Sequence, residues 1–135
     1  MKLVVDSNIL FTFFWKNSTS KELFILQDIE LFSPKFALVE IEKYSREIQK
    51  KAKISKEEFQ DIKTGLMILV NFIPLEEYSG SLKKANSFTP DKEDVDFFAL
   101  SLHMNCPLWS NDSQLKNQNR IKILTTTEII EIIEY

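Results

Sequence analysis

The sequence predicts an α/β fold: a mostly parallel sheet of about four or five short strands with helices on both faces. Short apolar runs alternate along the chain with amphipathic stretches of helical length, the pattern of repeated strand–helix–strand units. Two of the runs end in aspartates, Asp6 and Asp112, and in open parallel sheets ligands gather beyond the carboxyl ends of strands. The composition agrees. With 135 residues, 44% of them hydrophobic, and only 2 Gly and 4 Pro, the chain suits one packed domain over residues 1–135 and excludes disordered, collagen-like or linker-rich content.

The elements follow in order. Lys2 to Val5 reads as a strand ending at Asp6, and Asn8 to Trp15 as a helix crowded with Phe11, Phe13 and Phe14. Ser20 is expected to cap a second helix carrying Leu23, Phe24, Ile25 and Leu26, before a brief strand around Leu31 and Phe32. From Pro34, a favoured early helix residue, an amphipathic pattern runs to about Lys51. Ser55 with Glu58 is a capping-box signature for a helix toward Val70. Phe72 to Pro74 reads as a short strand, with a weaker helix after it. Thr89-Pro90-Asp91 is expected to open the next helix, with Thr89 as cap and Met104 near its end. Leu108 to Ser110 is a strand stopped by the turn pair Asn111-Asp112. Lys122 to Leu124 forms another strand, and Thr127 to Tyr135 a closing helix. No internal repeat or composition break divides the chain.

Bulk properties narrow the function. A single cysteine, Cys106, forms no internal disulfide, has no neighbour at zinc-ligand spacing, and suits a reducing compartment; the expected location is the cytoplasm. Asp6 interrupts the N-terminal apolar stretch, and the run from Gly65 to Val70 is far below the ~20 residues that span a bilayer, so no membrane association is expected. Seventeen basic against twenty acidic side chains give a net charge of −3, which speaks against coating nucleic acid by bulk charge. Where the carboxylates sit therefore decides more than their number.

Four acidic positions stand out. Asp6 lies between an apolar strand and a helix start, where it is a helix N-cap or a carboxylate held for chemistry. Asp112 carries the same two readings, since Asn-Asp pairs also simply turn chains. Glu40 lies on the edge of the stripe Ala37, Ile41, Tyr44 and Ile48, and a carboxylate facing the core is costly unless it is paired in a salt bridge, hydrogen-bonded or bound to a metal. Glu47 projects close to the same edge. The cluster Asp91-Lys92-Glu93-Asp94-Val95-Asp96 opens an apolar helix, where the helix dipole or a bound cation explains it.

The order of these stretches resembles the PIN-domain nucleases, and in size their toxin-type members known as VapC. The resemblance is carried by Val4-Val5-Asp6-Ser7-Asn8-Ile9-Leu10, Leu38-Val39-Glu40-Ile41, the run from Asp94 to Leu102, and Pro107-Leu108-Trp109-Ser110-Asn111-Asp112. It implies a three-layer α/β/α sandwich and an acidic pocket that binds Mg²⁺ or Mn²⁺ and hydrolyses RNA. Carried over residue by residue, the catalytic acids fall on Asp6, Glu40, Asp94 and Asp112. Asp96 stands where some relatives have a further acid, and Ser110 where Thr is frequent. The resemblance also implies dimerisation and an antitoxin partner.

The chemistry suits these residue types. A phosphodiester is an anion, so a site of carboxylates alone repels it, whereas Mg²⁺ and Mn²⁺ take oxygen ligands and keep positions open for water and phosphate. Asp6, Asp94 and Asp112 are the expected metal ligands, with Glu40 as ligand or water positioner and Asn8, Ser110 and Asp96 orienting them. Lys43, Arg46, Lys50 and Lys51, followed by Lys53 and Lys56, are candidate RNA contacts or an ordinary solvated face; Lys116, Arg120 and Lys122 are a candidate second basic edge. His103 reads as a structural polar contact, Cys106 as packed, and the phenylalanines first as core. Competing readings are a catalytically silent RNA- or protein-binding module, a phosphatase with an aspartate nucleophile, which usually has Asp where Asn8 stands, and a receiver domain, whose strand and helix pattern fits poorly.

Overall fold

The computed structural model describes residues 1–16, 18–26 and 28–134. The strands are β1 (Lys2–Val5), β2 (Glu30–Pro34), β3 (Val70–Ile73), β4 (Leu108–Trp109) and β5 (Ile123–Leu124). They form one sheet in the order β3-β2-β1-β4-β5, and every neighbouring pair is parallel. Leu3 pairs with Leu31, Val4 with both Phe32 and Leu108, and Val5 with Trp109. The helices are α1 (Ser7–Thr12), α2 (Thr19–Phe24), α3 (Phe36–Lys43), α4 (Ser45–Ala52), α5 (Lys56–Leu69), α6 (Leu75–Tyr78), α7 (Leu82–Asn86), α8 (Val95–Met104) and α9 (Thr126–Ile133). The result is a three-layer α/β/α arrangement.

The strand order fixes where a site belongs. The chain steps outward from β1 to β2 to β3, then crosses back over β1 to β4. Right-handed crossovers therefore put the connections of the two halves on opposite faces and leave a crevice beyond the carboxyl ends of β1 and β4. Asp6 follows β1, and Ser110 to Asp112 follow β4. Helix α8 packs on β1, β2 and β4 beneath that crevice.

Aromatic residues fill the core. Phe14 stacks on Phe59 at 5.0 Å, Phe13 on Phe24 at 5.2 Å, and Phe24 meets Trp109 edge-on at 5.3 Å. Trp109 is fully buried and its indole N–H donates to Thr126 Oγ1 at 3.0 Å, so the ring sits in the core without an orphaned donor. Among the described residues no helix is long and apolar enough to cross a membrane.

Several element boundaries differ from expectation. Helix α1 ends at Thr12, and Phe13, Phe14 and Trp15 continue in tighter turns whose N–H groups reach back three residues. Ser20 is not the cap of α2 but lies buried inside it, its hydroxyl shared with Thr12 and Ser18; Ser18 holds the cap position. Pro34 closes β2 and does not open a helix. The long amphipathic helix is broken at Tyr44, which leaves Ala37, Ile41 and Ile48 buried but turns Tyr44 outward. Thr89 does not cap α8. Its hydroxyl donates back to Ala85 at 2.6 Å, while Asp91 caps a 3-10 turn over Lys92–Asp94. The Ser55–Glu58 capping box is present as expected, and a second box, Thr125 with Glu128, opens α9. Tyr135, expected to end that helix, lies outside the described residues.

Lys53 ends α4 with φ 56 and ψ 48, a left-handed conformation that a side chain adopts at a cost of roughly 1–2 kcal/mol. Lys53→Gly is therefore expected to raise stability by about 0.5–1 kcal/mol, read as a higher urea midpoint with unchanged slope.

Candidate active site

Asp6 caps α1. Its Oδ1 accepts from the Ile9 N–H at 2.9 Å, and its own N–H donates to the Trp109 carbonyl at 3.2 Å, extending the β1–β4 ladder by one residue. The side chain is 5% exposed. Burial pushes its pKa from 3.8 up to about 6, against the opposing hydrogen bonds from Ser110 and Ile9, and the charge of Asp112 adds to the rise. The N-cap role is thus present, and it occupies only one of the two carboxylate oxygens.

Ser110 is buried and links two of the acids. It bonds the Asp6 carboxylate, and its Oγ accepts the Asp112 N–H at 3.1 Å. Asp112 is exposed, and its Oδ1 accepts from the Gln114 N–H at 3.0 Å in a local turn. Asp94 stands at the N-cap position of α8 yet makes no side-chain bond to that helix. Burial pushes its pKa from 3.8 up to about 6, helped by Asp6, Asp91, Asp112 and Glu93 in that order. Asp6, Asp94 and Asp112, from three distant stretches of chain, therefore share one electrostatic environment at the sheet's switch point.

Glu40 joins this group through Ser7, whose hydroxyl donates to its Oε1 at 3.3 Å. Asn8, one residue further on, is exposed on the first turn of α1. Asp96 is engaged elsewhere: its carboxylate accepts the buried Tyr78 hydroxyl and lines a groove with Lys35, Phe36 and Glu76. Glu47 belongs to α4, beyond the break at Tyr44, and lines a different cleft. Ser7 was the residue sequence reasoning missed, and a hydroxyl directly after Asp6 was the available signal.

The basic residues divide. Lys43, Arg46, Lys50 and Lys51 are exposed on α3 and α4. Lys116 is paired with Glu128 at 2.7 Å. Arg120 and Lys122 do not form an edge beside the acids; they line a cavity with Cys106 and Pro107 at the amino-terminal end of β4. Burial pushes the Cys106 thiol up, away from reactivity. His103 is exposed in the last turn of α8.

The donor set fits a hard divalent cation. Every candidate ligand is a carboxylate, two of them are held above their ordinary range by burial and mutual repulsion, and Asp94 leaves its own helix unbonded. Among the described residues no three Asp, Glu, His or Cys side chains stand close enough together to hold a metal ion. The crowding has a measurable cost. Raised acid pKa values mean the unfolded chain ionises first, so stability falls as pH rises from about 4 to about 6 and then levels. For Asp6 a shift from 3.8 to about 6 corresponds to roughly 3 kcal/mol. Asp6→Asn keeps the acceptor for Ile9 and is expected to be the more stable protein in chelator at pH 7.5, by roughly 1–3 kcal/mol, with the gain gone near pH 3.5. Urea unfolding at the two pH values measures it.

Comparison with known proteins places this geometry. No curated protein matches the chain. A chain in the crystal structure of VapBC2 from Rickettsia felis, bound to a DNA fragment from its promoter, shares the fold with a TM-score of 0.66. The likeness covers 93% of this chain and 98% of that one at 16% identity. A family model described as the PIN domain matches residues 4–131, from the middle of β1 into α9. With all but the extreme ends of the sequence matched, the chain belongs to the PIN-domain family.

Proposed function

We propose that the protein is a Mg²⁺- or Mn²⁺-dependent ribonuclease that hydrolyses RNA phosphodiester bonds, and that it is the toxin of a toxin–antitoxin pair. One observation carries the reading: at the switch point of a parallel sheet the charge of Asp112 raises Asp6, and the charges of Asp6 and Asp112 raise Asp94. PIN domains are generally nucleases that use divalent metal ions. The toxin role is supported by the shared fold with a chain of a VapBC2 complex.

In this reading Asp6, Asp94 and Asp112 would hold the cation, which would supply positive charge to the phosphate and make water more acidic. Ser110 fixes Asp6 and Asp112 relative to each other. Glu40, steadied by Ser7, positions the attacking water and takes its proton. Asn8 shapes the rim, Asp96 stays with Tyr78 outside the site, and Lys43, Arg46, Lys50 and Lys51 hold the RNA backbone. Val39 on α3 and Ile68 on α5 are exposed apolar side chains, 69% and 80% accessible, that suit an antitoxin or a second copy of the chain. The free Cys106 suits the cytoplasm.

Incubating structured RNA with the protein and Mn²⁺ is expected to give discrete ends that chelator abolishes. Asp94→Asn and Asp6→Asn lose cleavage altogether, whereas Ser110→Ala, which only disturbs positioning, loses about 10- to 100-fold. Parent protein that binds RNA without any metal-dependent cleavage would establish the silent-module reading instead. Cation binding must displace protons from Asp6 and Asp94, so Mn²⁺ affinity by calorimetry is expected to climb with pH up to about 6 and level above it.

A further inference from the structure

Where the amphipathic helix breaks at Tyr44, a cleft of about 240 Å³ opens between α1 and α4. Trp15, Tyr44, Asn8 and Lys51 are among the residues that line it. The Tyr44 ring is held upright by Phe11, edge-on at 6.3 Å and 81°, and the Lys43 ammonium lies 5.5 Å from its centroid. Glu47 is the one acid among the lining residues, against Lys51 in the cleft and Lys43, Arg46 and Lys50 around it. The cleft borders the chain that follows Asp6: Asn8, which lines it, comes next after Ser7, whose hydroxyl bonds Glu40.

We propose that this cleft receives an unpaired nucleobase of the RNA substrate, stacked on Trp15 and Tyr44, with the cations of α3 and α4 on its phosphates. The proposal rests on the ribonuclease reading for its substrate class. The size suits one flat ring system, being below the roughly 300 Å³ at which pockets begin to enclose whole drug-sized ligands. Aromatic faces set among lysines are the combination that binds single strands, since every base offers a π-face and every linkage a negative charge. A partner helix would draw on the surrounding positive charge only through acidic flanks, whereas RNA brings a negative charge with every base. A base placed here puts the adjoining backbone toward Asn8 and the carboxylates, so the cleft selects unpaired RNA and sets which phosphate is presented.

The test reads binding in chelator, where cleavage plays no part. A fluorescent single-stranded RNA decamer and the matching blunt duplex are titrated into the full chain, with tryptophan emission followed in parallel. Trp109 is buried, so quenching by bound RNA reports Trp15. The expected result is quenching by the single strand, and a loss of single-strand affinity of about 5- to 150-fold in Trp15→Ala, with the salt slope and the duplex affinity unchanged. Trp15→Phe restores most of the affinity while abolishing the quenching, and Trp109 emission shows that each variant is folded. Equal single-strand affinity in Trp15→Ala, equal losses for duplex and single strand, or an unquenched Trp15, as when the cleft takes a protein helix, would overturn the proposal. Failure of the ribonuclease reading looks different: Trp15-dependent binding persists and no metal produces cleavage.

Discussion

Removing a carboxylate from water is unfavourable unless hydrogen bonds or a cation compensate, and Asp6, 5% exposed at the end of the central strand, imposes that constraint on its surroundings. Much of the nearby architecture answers it. The N-terminus of α1 is aimed at its Oδ1, Ser110 at the end of β4 reaches across, and the Asp6 N–H is tied to Trp109. Ser33 on β2, fully buried, donates to the Val5 carbonyl at 2.9 Å just before the aspartate, so both neighbours of β1 brace its end. These bonds lower the ionisation cost without cancelling it. The residual penalty is what a divalent ion held there would relieve.

Asp94 shows how local capping is arranged around the same need. A helix beginning at Val95 would ordinarily take a bond from the residue at its N-cap. Here Asp91 caps the preceding 3-10 turn, accepting from the Glu93 N–H at 3.0 Å, and the tight turn delivers Asp94 to the start of α8 with its carboxylate uncommitted. One turn of chain thus separates the acid that serves the backbone from the acid left for the crevice. Asp96, two residues on, serves a third purpose: it accepts the Tyr78 hydroxyl and draws α6 onto α8.

The sheet and the strand-end acids were legible because they depend on local pattern. Apolar runs ending in aspartate located β1 and the approach to β4, and Ser55 with Glu58 located α5. The errors have physical causes as well. Periodicity cannot see the break at Tyr44, because an apolar stripe reads continuously through it, although one ring has turned from the core to meet Phe11. A Thr-Pro pair signals a helix start equally well whether Thr89 caps forward or, as here, donates back to Ala85. Sequence proximity to Asp112 suggested that Arg120 and Lys122 flank the acids. The chain instead returns along β5, so they sit at the other end of a two-residue strand.

Charge placement also changes what the net value of −3 means. Lys63 and Lys116 are held by Glu42 and Glu128 in exposed ion pairs, which contribute little to stability and remove those cations from other use. The acids concentrate where β1, β4 and α8 meet, and the uncommitted cations of α4 lie across the cleft from α1. An approaching polyanion therefore meets two fields a short distance apart, repulsive at the bare carboxylates and attractive along α4. A divalent ion in the crevice reverses only the first. On the ribonuclease reading proposed above, a divalent ion held by these acids would turn the carboxylate end from repelling a phosphate to attracting it, and both fields would then draw the same polyanion.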